Sequence, residues 1–252
     1  MINTVNIIGA GNVATALAVV LSKKIRVKAV WSRKPKTAIE LSSRINSEVC
    51  LSLTDLPNAD LNIIAVADDV IKDTVKKLDM NIPVVHTSGS VPKSVLKDFR
   101  KYGVFYPLQT FSKDRMVEMS EVPFFIETND TELERELFDL TKEVLNTTPY
   151  KLNSDKRKAL HLAAVISNNF TNHLLLESKK ILTQQEIPFD VLKALMFETV
   201  GKAFDLGPEN AQTGPANRGD KKIIEDQLKL LKEQEMNQLY KLFTRAIENN
   251  KA

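Results

Sequence analysis

The sequence is short of cysteine, of long apolar runs and of clustered positive charge, and each shortage excludes a class of protein. Cys50 is the one cysteine among 252 residues, so no intramolecular disulfide can form, which is typical of a reducing compartment. No apolar run reaches the length of a membrane span. The first apolar strand pattern begins at residue 5, which leaves no room for a signal peptide before it. We therefore expect a cytoplasmic protein that does not enter a membrane.

The charge is nearly balanced, with 35 Lys and Arg against 32 Asp and Glu. No dense block of basic residues with interleaved aromatics occurs, so we expect no nucleic acid as a partner. Hydrophobic residues make up 43% of the chain, which is enough for the buried core of one large domain or two smaller ones.

The strongest motif is a glycine turn near the start of the chain. Residues 5–8 form an apolar run and residues 13–21 an apolar, alanine-rich helical pattern, so the glycines lie where a buried strand turns into a helix. Gly9 permits the turn, Gly11 lets the backbone approach a pyrophosphate, and the small Ala14 allows helix and strand to pack closely. Asn12 and Val13 offer backbone N–H groups to the phosphates. The pattern predicts a dinucleotide site; the alternative is a plain glycine turn.

The residues that follow the second predicted strand, 27–31, indicate which cofactor is bound. An Asp or Glu normally follows this strand when the bound ribose has a free 2′-hydroxyl. Here Ser32, Arg33 and Lys34 follow it, and the guanidinium fork suits a phosphate. We therefore expect Ser32 and Arg33 to hold the 2′-phosphate of NADP(H). The alternative is a solvated basic turn before the next helix.

Six further strands complete the predicted sheet, and a helix at 131–145 separates the last two of them. They are residues 48–53, 61–66, 83–86, 103–106, 123–127 and 148–152. The backbone at Val66 and Ala67 would pass the second phosphate and ribose of the cofactor, while Asp68 and Asp69 cap the helix that follows.

A hydroxyl-rich loop follows the fifth strand, at the edge of a parallel sheet where ligands bind. In this loop Ser88 and Gly89 would position a substrate oxygen or the nicotinamide amide. Alternatively, Ser90 caps a following helix and His86 is a buried structural histidine. The next loop, residues 106–111, is polar between two aromatics, and its alternative is that Tyr106 and Phe111 are packing residues.

From residue 154 the pattern is helical to the end. One helix is predicted over 155–184, and its middle, 160–176, is apolar nearly all round, so we expect it to be buried on all sides. His161, Asn168 and Asn172 share one line along this helix and need hydrogen-bond partners. A substrate could provide them, and so could a neighbouring helix or subunit.

Further helices are predicted at 188–204, 221–233 and 235–249, with Asp220 as a cap. Arg218 would either clamp an anionic substrate group or pair with a carboxylate of the helical part. A wholly apolar helix needs a cover, and a second copy of the chain is the economical one, so we expect a homodimer through the C-terminal helices.

The predicted fold is α/β: a Rossmann-type, doubly wound, mainly parallel sheet in residues 1–152, followed by an all-α dimerisation domain in residues 153–252. The ligands expected are NADP and a small-molecule substrate, and no metal.

The chain resembles Rossmann-like proteins that carry a DUF2520 helical domain and are described as NADP oxidoreductases of the coenzyme F420-dependent type. The resemblance covers essentially the whole chain. It is carried by the glycine turn and by four further stretches: His86-Thr87-Ser88-Gly89-Ser90, Tyr106-Pro107-Leu108-Gln109-Thr110-Phe111, His161 with Asn168-Asn169-Phe170, and Thr213-Gly214-Pro215 with Arg218-Gly219-Asp220.

More distantly the chain is similar to the 6-phosphogluconate and β-hydroxyacid dehydrogenases and to pyrroline-5-carboxylate reductase. The resemblance implies a C-terminal helical domain that dimerises and closes the site. The dehydrogenases have a catalytic lysine four residues before an asparagine on the first long helix; here Ala164 and Val165 occupy the matching positions. Gln227 stands where DUF2520 proteins usually have a histidine.

Three functions stay open at this stage. In the favoured one, NADPH reduces a small carbonyl or imine compound in the cleft between the domains, with His161 as general acid, Asn168 holding the substrate oxygen and Ser88 positioning the carboxamide or substrate. The second is a non-catalytic NADP-binding sensor dimer. The third is hydride exchange between NADP and a deazaflavin.

Overall fold

The computed structural model describes residues 1–250. The protein is α/β, with one eight-stranded sheet followed by an all-helical C-terminal region. The strands, in chain order, are β1 Thr4–Ile8, β2 Arg26–Trp31, β3 Glu48–Cys50, β4 Leu61–Ile64, β5 Val84–His86, β6 Tyr102–Pro107, β7 Phe124–Thr128 and β8 Pro149–Lys151. All eight coincide with predicted strands.

The strand order is β3-β2-β1-β4-β5-β6-β7-β8, and only the β6–β7 pair is antiparallel. The chain leaves β1 toward one side, to β2 and β3, and returns to the other side at β4. Loops that follow neighbouring strands diverge at such a reversal, which opens a crevice beyond the carboxyl ends of β1 and β4. The predicted Rossmann-type sheet is confirmed.

The helices are α1 Asn12–Leu21, α2 Pro35–Ile45, α3 Asp68–Val75, α4 Thr131–Asp139, α5 Ser154–Ala164, α6 Thr171–Gln184, α7 Lys193–Leu206, α8 Pro208–Ala211, α9 Pro215–Arg218, α10 Lys221–Leu230 and α11 Gln234–Asn249. A π-helical segment extends α4 over Leu140–Val144, and another joins α5 to α6 over Val165–Phe170. The helix predicted over 155–184 is therefore continuous but wider through its middle, because a π turn holds more residues than an α turn.

The chain divides into two compact units, residues 1–169 and residues 170 to the end. The first unit contains the whole sheet, and its core lies on both faces. One cluster includes Leu17, Phe105 and Phe124, and the other includes Ile64, Ile71 and Leu96. β1 and β4 are almost entirely buried, as near-continuous apolar strands of a parallel sheet must be. The boundary between the units lies within the long helical run, whereas the sheet ends at Lys151.

In the second unit, α9 packs against α10 and α11. Arg218 pairs with Asp220 at 2.9 Å, so its alternative reading, a carboxylate partner within the helical part, is the one the structure shows. Asp220 precedes α10 but makes no capping hydrogen bond, contrary to prediction, because its carboxylate accepts from Arg218 instead. Within residues 1–250 no helix is long and apolar enough to cross a bilayer.

Three other local expectations are wrong. The middle of the long helix is not buried on all sides, because Leu162, Ile166 and Phe170 are each more than half exposed. Asp68 and Asp69 do not cap α3; Ala67 takes the N-cap position, and the carboxylates lie in the first helical turn, where they face the positive end of the dipole.

The third concerns Ser90, which makes no capping hydrogen bond. A short 3₁₀ turn at Lys93–Leu96 follows this loop in place of the expected helix, and it has no side-chain cap. Within the loop, the Ser88 hydroxyl oxygen accepts the backbone N–H groups of Ser90 and Val91 at 3.1 and 3.0 Å.

Candidate active site

A cavity of about 640 Å³ lies in the first unit, lined by the turns that follow β1, β2, β4 and β5. All ten residues predicted to bind the cofactor line it: Gly9, Gly11, Asn12, Val13, Ser32, Arg33, Val66, Ala67, Ser88 and Gly89. His161, the predicted acid, lines it as well. The structure thus gathers residues from five separate stretches of the sequence at one place; their roles in binding and catalysis stay predictions.

The glycine turn fits a pyrophosphate in two ways. Gly9 has a φ of +129°, and a Cβ on it would lie 2.1 Å from the carbonyl oxygen of Ala65, so no L side chain can stand there. Gly11 is different, because a Cβ on it would meet nothing within 4 Å and would project into open space. Helix α1 begins at this point with no capping side chain and no acidic residue in its first turn. Its first N–H groups are left for an anion.

The end of β2 and the start of α2 form a second anion-binding corner. Lys34 occupies the N-cap position of α2, no side chain caps the helix, and the first turn holds no acidic residue. Ser32 Oγ lies 3.0 Å from Thr37 Oγ1 and accepts the backbone N–H of Lys34 at 3.3 Å. The Ser32 and Thr37 hydroxyls and the Arg33 and Lys34 cations therefore line one wall of the cavity, a set of groups that fits a 2′-phosphate.

The loop after β5 presents Ser88 to the cavity and turns His86 away from it. Because Ser88 Oγ already accepts two backbone N–H groups, its own hydroxyl hydrogen is available to a ligand. His86 is fully buried, does not line the cavity, and accepts the N–H of Ser88 at Nδ1. Burial, with the nearby Arg157 cation, lowers the pKa of His86 to about 4, so its imidazole is neutral. Of the two readings of His86, the buried structural one fits the structure.

The chemistry-bearing group of the cavity is a tyrosine–histidine pair. Tyr106 Oη lies 3.0 Å from His161 Nδ1, and the rings meet edge to face at 5.9 Å. Gly89 makes this possible, because a Cβ there would lie 2.6 Å from His161 Nδ1 and 2.9 Å from Tyr106 Cζ. Burial raises the pKa of the Tyr106 phenol, so the hydroxyl keeps its proton at neutral pH. Since Nδ1 is engaged with Tyr106, Nε2 is the ring nitrogen free for a ligand.

A buried ion pair fixes the helix that carries His161. Arg157 lies one turn before it on α5, is fully buried, and donates to Glu127 Oε2 at 2.5 Å and to the Val91 carbonyl at 2.5 Å. Burial alone would raise the pKa of Glu127, but hydrogen bonds from Ser154 and Arg157 hold it below its usual value. The carboxylate is therefore ionised, and it ties α5 to β7.

Sequence comparison now identifies the family. A model described as "NADP oxidoreductase coenzyme F420-dependent" matches residues 4–88, and one described as "Domain of unknown function (DUF2520)" matches residues 122–247. The crystal structure of the "putative NADP oxidoreductase BF3122" from Bacteroides fragilis is 38% identical, covers 98% of both chains and superposes with a TM-score of 0.90. The chain belongs to the DUF2520 family of NADP oxidoreductase-like proteins. No curated protein matches it in sequence.

Two less similar solved structures share the fold. A reductive aminase from Aspergillus terreus, solved with NADPH and ethyl levulinate, is 14% identical, covers 99% of this chain and 95% of its own, and has a TM-score of 0.72. A 1-pyrroline-5-carboxylate reductase from Streptococcus pyogenes is 16% identical, covers 98% of both chains, and has a TM-score of 0.65.

Not every predicted site residue of this DUF2520 protein reaches the cavity. Asn168 is exposed, lies outside the cavity lining, and its amide nitrogen contacts only Asn169, at 3.3 Å. It belongs to the π segment, where the change in turn width breaks the straight line predicted from His161 through Asn168 to Asn172. Its role as an orienting amide stays a prediction.

Several lining residues were not expected at the site: Trp31, Thr37, Tyr106, Gln109 and Lys113. Trp31 ends the strand before the predicted basic turn, and Thr37 lies in the first turn of the helix after it. The position of Thr37 in that first turn could have indicated that its side chain lies near Ser32. Tyr106 and Gln109 belong to the polar loop between two aromatics, for which no role at the site was specified and packing was the alternative. Lys113 lies in a segment without helix or strand, so no sequence periodicity could predict that its side chain faces the cavity.

Proposed function

We propose that this protein is an NADPH-dependent reductase of a small carbonyl or imine compound. The single observation that carries the proposal is the Tyr106–His161 pair, which lines the same cavity as the glycine turn and the basic corner after β2. A hydride-transfer enzyme requires a group that can exchange a proton with the substrate and groups that can bind the phosphates of a dinucleotide, and both kinds line this cavity. The reductive aminase with NADPH supports this substrate class by analogy of fold.

In the proposal, each part of the cofactor has residues to hold it. The uncapped start of α1 binds the pyrophosphate, with Gly11 giving it room, and Ser32 and Arg33 bind the 2′-phosphate. The backbone at Val66 and Ala67 passes the ribose, and the Ser88 hydroxyl donates to the carboxamide or to the substrate. When bound, NADPH supplies a hydride to the substrate carbon.

His161 supplies the matching proton. Its Nε2 donates to the carbonyl oxygen or imine nitrogen while the ring is held at Nδ1 by Tyr106, so that hydride and proton together reduce the double bond. The superfamily lysine is absent, Ala164 and Val165 standing at its positions, and among the described cavity residues His161 is the one histidine. Because the lysine is absent, the proton must come from another titratable group of the cavity, and His161 is such a group.

The test is turnover of His161→Ala on keto acids and cyclic imines, followed by the loss of NADPH absorbance. Removing a general acid should lower turnover by about a hundredfold to ten-thousandfold, while the affinity for NADPH stays unchanged. His173→Ala is the control, because His173 is exposed and does not line this cavity. Unchanged turnover in His161→Ala refutes the acid role.

Two rival functions have distinct outcomes in the same assay. Tight NADPH binding by wild-type protein with no turnover of any substrate would favour a sensor. Turnover only when a deazaflavin is the acceptor would favour NADP:deazaflavin exchange. The proposed reductase requires turnover with a carbonyl or imine acceptor and no deazaflavin.

We also propose a homodimer formed through the C-terminal helices. Helix α7 has no buried residue, and its Phe197 and Phe204 are 69% and 87% exposed, an unusual state for large apolar side chains. A second copy presents the same face and can cover it symmetrically. Phe204→Glu should shift the molar mass measured by light scattering to that of a monomer, whereas Leu51→Glu, an exposed leucine of the first unit, should not. A wild-type monomer would refute the dimer.

A further inference from the structure

The segment that follows β6 contributes one residue to the cavity lining and packs against the core at both of its ends. Phe111 and Val117 are partly buried against the main core cluster, and the five residues between them, 112–116, are exposed. We call residues 112–116 the strap. A segment that is anchored by packing at each end but solvated between them keeps its path while its side chains stay free to meet a ligand.

Two contacts show where the strap runs. At its start, Asn12 Nδ2 donates to the Phe111 carbonyl at 2.8 Å, which holds the strap beside the first turn of α1. At its end, the Arg44 guanidinium lies 3.6 Å from Met116 Sδ, which holds it beside the last turn of α2. The strap therefore runs from the pyrophosphate end of the cavity toward the helix that begins at the 2′-phosphate corner.

Lys113 is the strap residue that faces the cavity. It lines the cavity together with Arg33 and Lys34, whereas Asp114 and Arg115, its neighbours on the strap, do not. Within residues 1–250 Lys113 makes no ion pair and no side-chain hydrogen bond. Among the described residues Lys113 is therefore a cation without a partner, close to the starts of α1 and α2, which lack side-chain caps. Its charge adds to the attraction of an anion at that wall of the cavity.

We propose that Lys113 binds a phosphate group of the dinucleotide and that the strap thereby covers its adenosine half. The inference rests on the proposed function, because it takes NADP(H) as the ligand. It adds a phosphate ligand from a segment outside the strand-to-helix turns of the sheet. The phosphate is either the 2′-phosphate, which only NADPH has, or the pyrophosphate, which NADPH and NADH share.

Direct binding tests the proposal without any assay of activity. Trp31, the one tryptophan of the chain, lines the same cavity, so its fluorescence reports occupancy. NADPH and NADH are titrated into wild type, Lys113→Gln, Lys113→Arg and Arg115→Gln. Arg115→Gln is the matched control, because it removes the same charge from the same strap two residues away and outside the cavity.

Lys113→Gln should weaken NADPH binding by about tenfold, the size of one charge-assisted hydrogen bond, and Lys113→Arg should restore most of it. A loss for NADPH alone assigns the 2′-phosphate, and an equal loss for NADH assigns the pyrophosphate. Wild-type affinity in Lys113→Gln overturns the inference, and so does an equal loss in Arg115→Gln. Wild-type protein that binds neither dinucleotide overturns the proposed function as well.

Limited proteolysis tests the cover by a second readout. Lys113 and Arg115 are trypsin sites in an exposed segment, so trypsin should cut the strap of the free protein. NADPH should slow cleavage after both residues in wild type, and slow it less after Arg115 in Lys113→Gln. Cleavage at the same rate with saturating NADPH would overturn the cover.

Discussion

His86 makes the stability of this protein depend on pH in a way that its burial predicts. The unfolded imidazole has the ordinary histidine pKa of about 6.5, and the folded one has a pKa of about 4. Above both values the ring is neutral in both states. Between them the unfolded state binds a proton that the folded state does not, so stability falls as the pH falls. With about 1.4 kcal/mol per pKa unit, His86 costs about 2 kcal/mol between pH 7 and pH 5 and about 3 kcal/mol by pH 4.

The assay is urea unfolding followed by circular dichroism at pH 7, 6 and 5, at one fixed protein concentration. In His86→Asn the amide oxygen can still accept the Ser88 N–H, so the packing that is lost does not depend on pH. Between pH 7 and pH 5 the unfolding free energy of this variant should therefore fall by about 2 kcal/mol less than that of wild type. His173→Asn is the control, because His173 is 59% exposed, and it should follow wild type. Parallel pH profiles of wild type and His86→Asn would refute a neutral, buried His86.

Three more predictions follow from the site. Gly89→Ala should break the Tyr106–His161 hydrogen bond and lower turnover toward that of His161→Ala, because the new Cβ would lie 2.6 Å from His161 Nδ1, 2.7 Å from His161 Cγ and 2.9 Å from Tyr106 Cζ, so the two rings must move; wild-type turnover would contradict this. Arg157→Leu should lower the unfolding free energy by about 3 kcal/mol, since it removes the buried cation that pairs with Glu127 and leaves that carboxylate only the partly exposed Lys93, at 3.4 Å; a loss under 1 kcal/mol in urea unfolding would contradict it. The double variant Ser32→Ala with Arg33→Gln should lose about tenfold to a hundredfold in affinity for NADPH and little for NADH, as measured by calorimetry; equal affinity of wild type for both would remove the 2′-phosphate assignment.

The sheet could be predicted from the sequence almost completely. Its inner strands are short apolar runs between turn residues, and the glycine turn fixed which strand stands at the reversal of strand order. For the same reason the sequence could place Gly9 and Ser32 at the cavity, because each follows a strand directly. Residues at those points are placed by the backbone of the sheet, not by side-chain packing.

The remaining features depend on contacts that leave no local pattern. The apolar composition of the long helix does not show that Val165–Phe170 winds as a π segment, so the predicted line through Asn168 was extended with the wrong turn width. Tyr106 looked like core because it is aromatic and follows a buried strand, and only the fold brings His161 to its hydroxyl, 55 residues along the chain. Ser90 was a plausible cap in sequence, but the loop is followed by a 3₁₀ turn with Pro92 at its N-cap position, and no side chain caps it.

The position of His161 is set by the same buried groups that close the loop after β5. Arg157 joins α5 to the Val91 carbonyl, and the Val91 N–H is bound by Ser88 Oγ, so helix and loop are connected through Arg157. One turn beyond Arg157 the same helix places His161 against Gly89 of that loop, at a distance that only a glycine allows. The ion pair with Glu127 is buried, so solvent and salt screen it weakly, and it holds the helix against β7 where a surface pair would not. The catalytic geometry proposed for this protein therefore depends on an arginine that does not line the cavity.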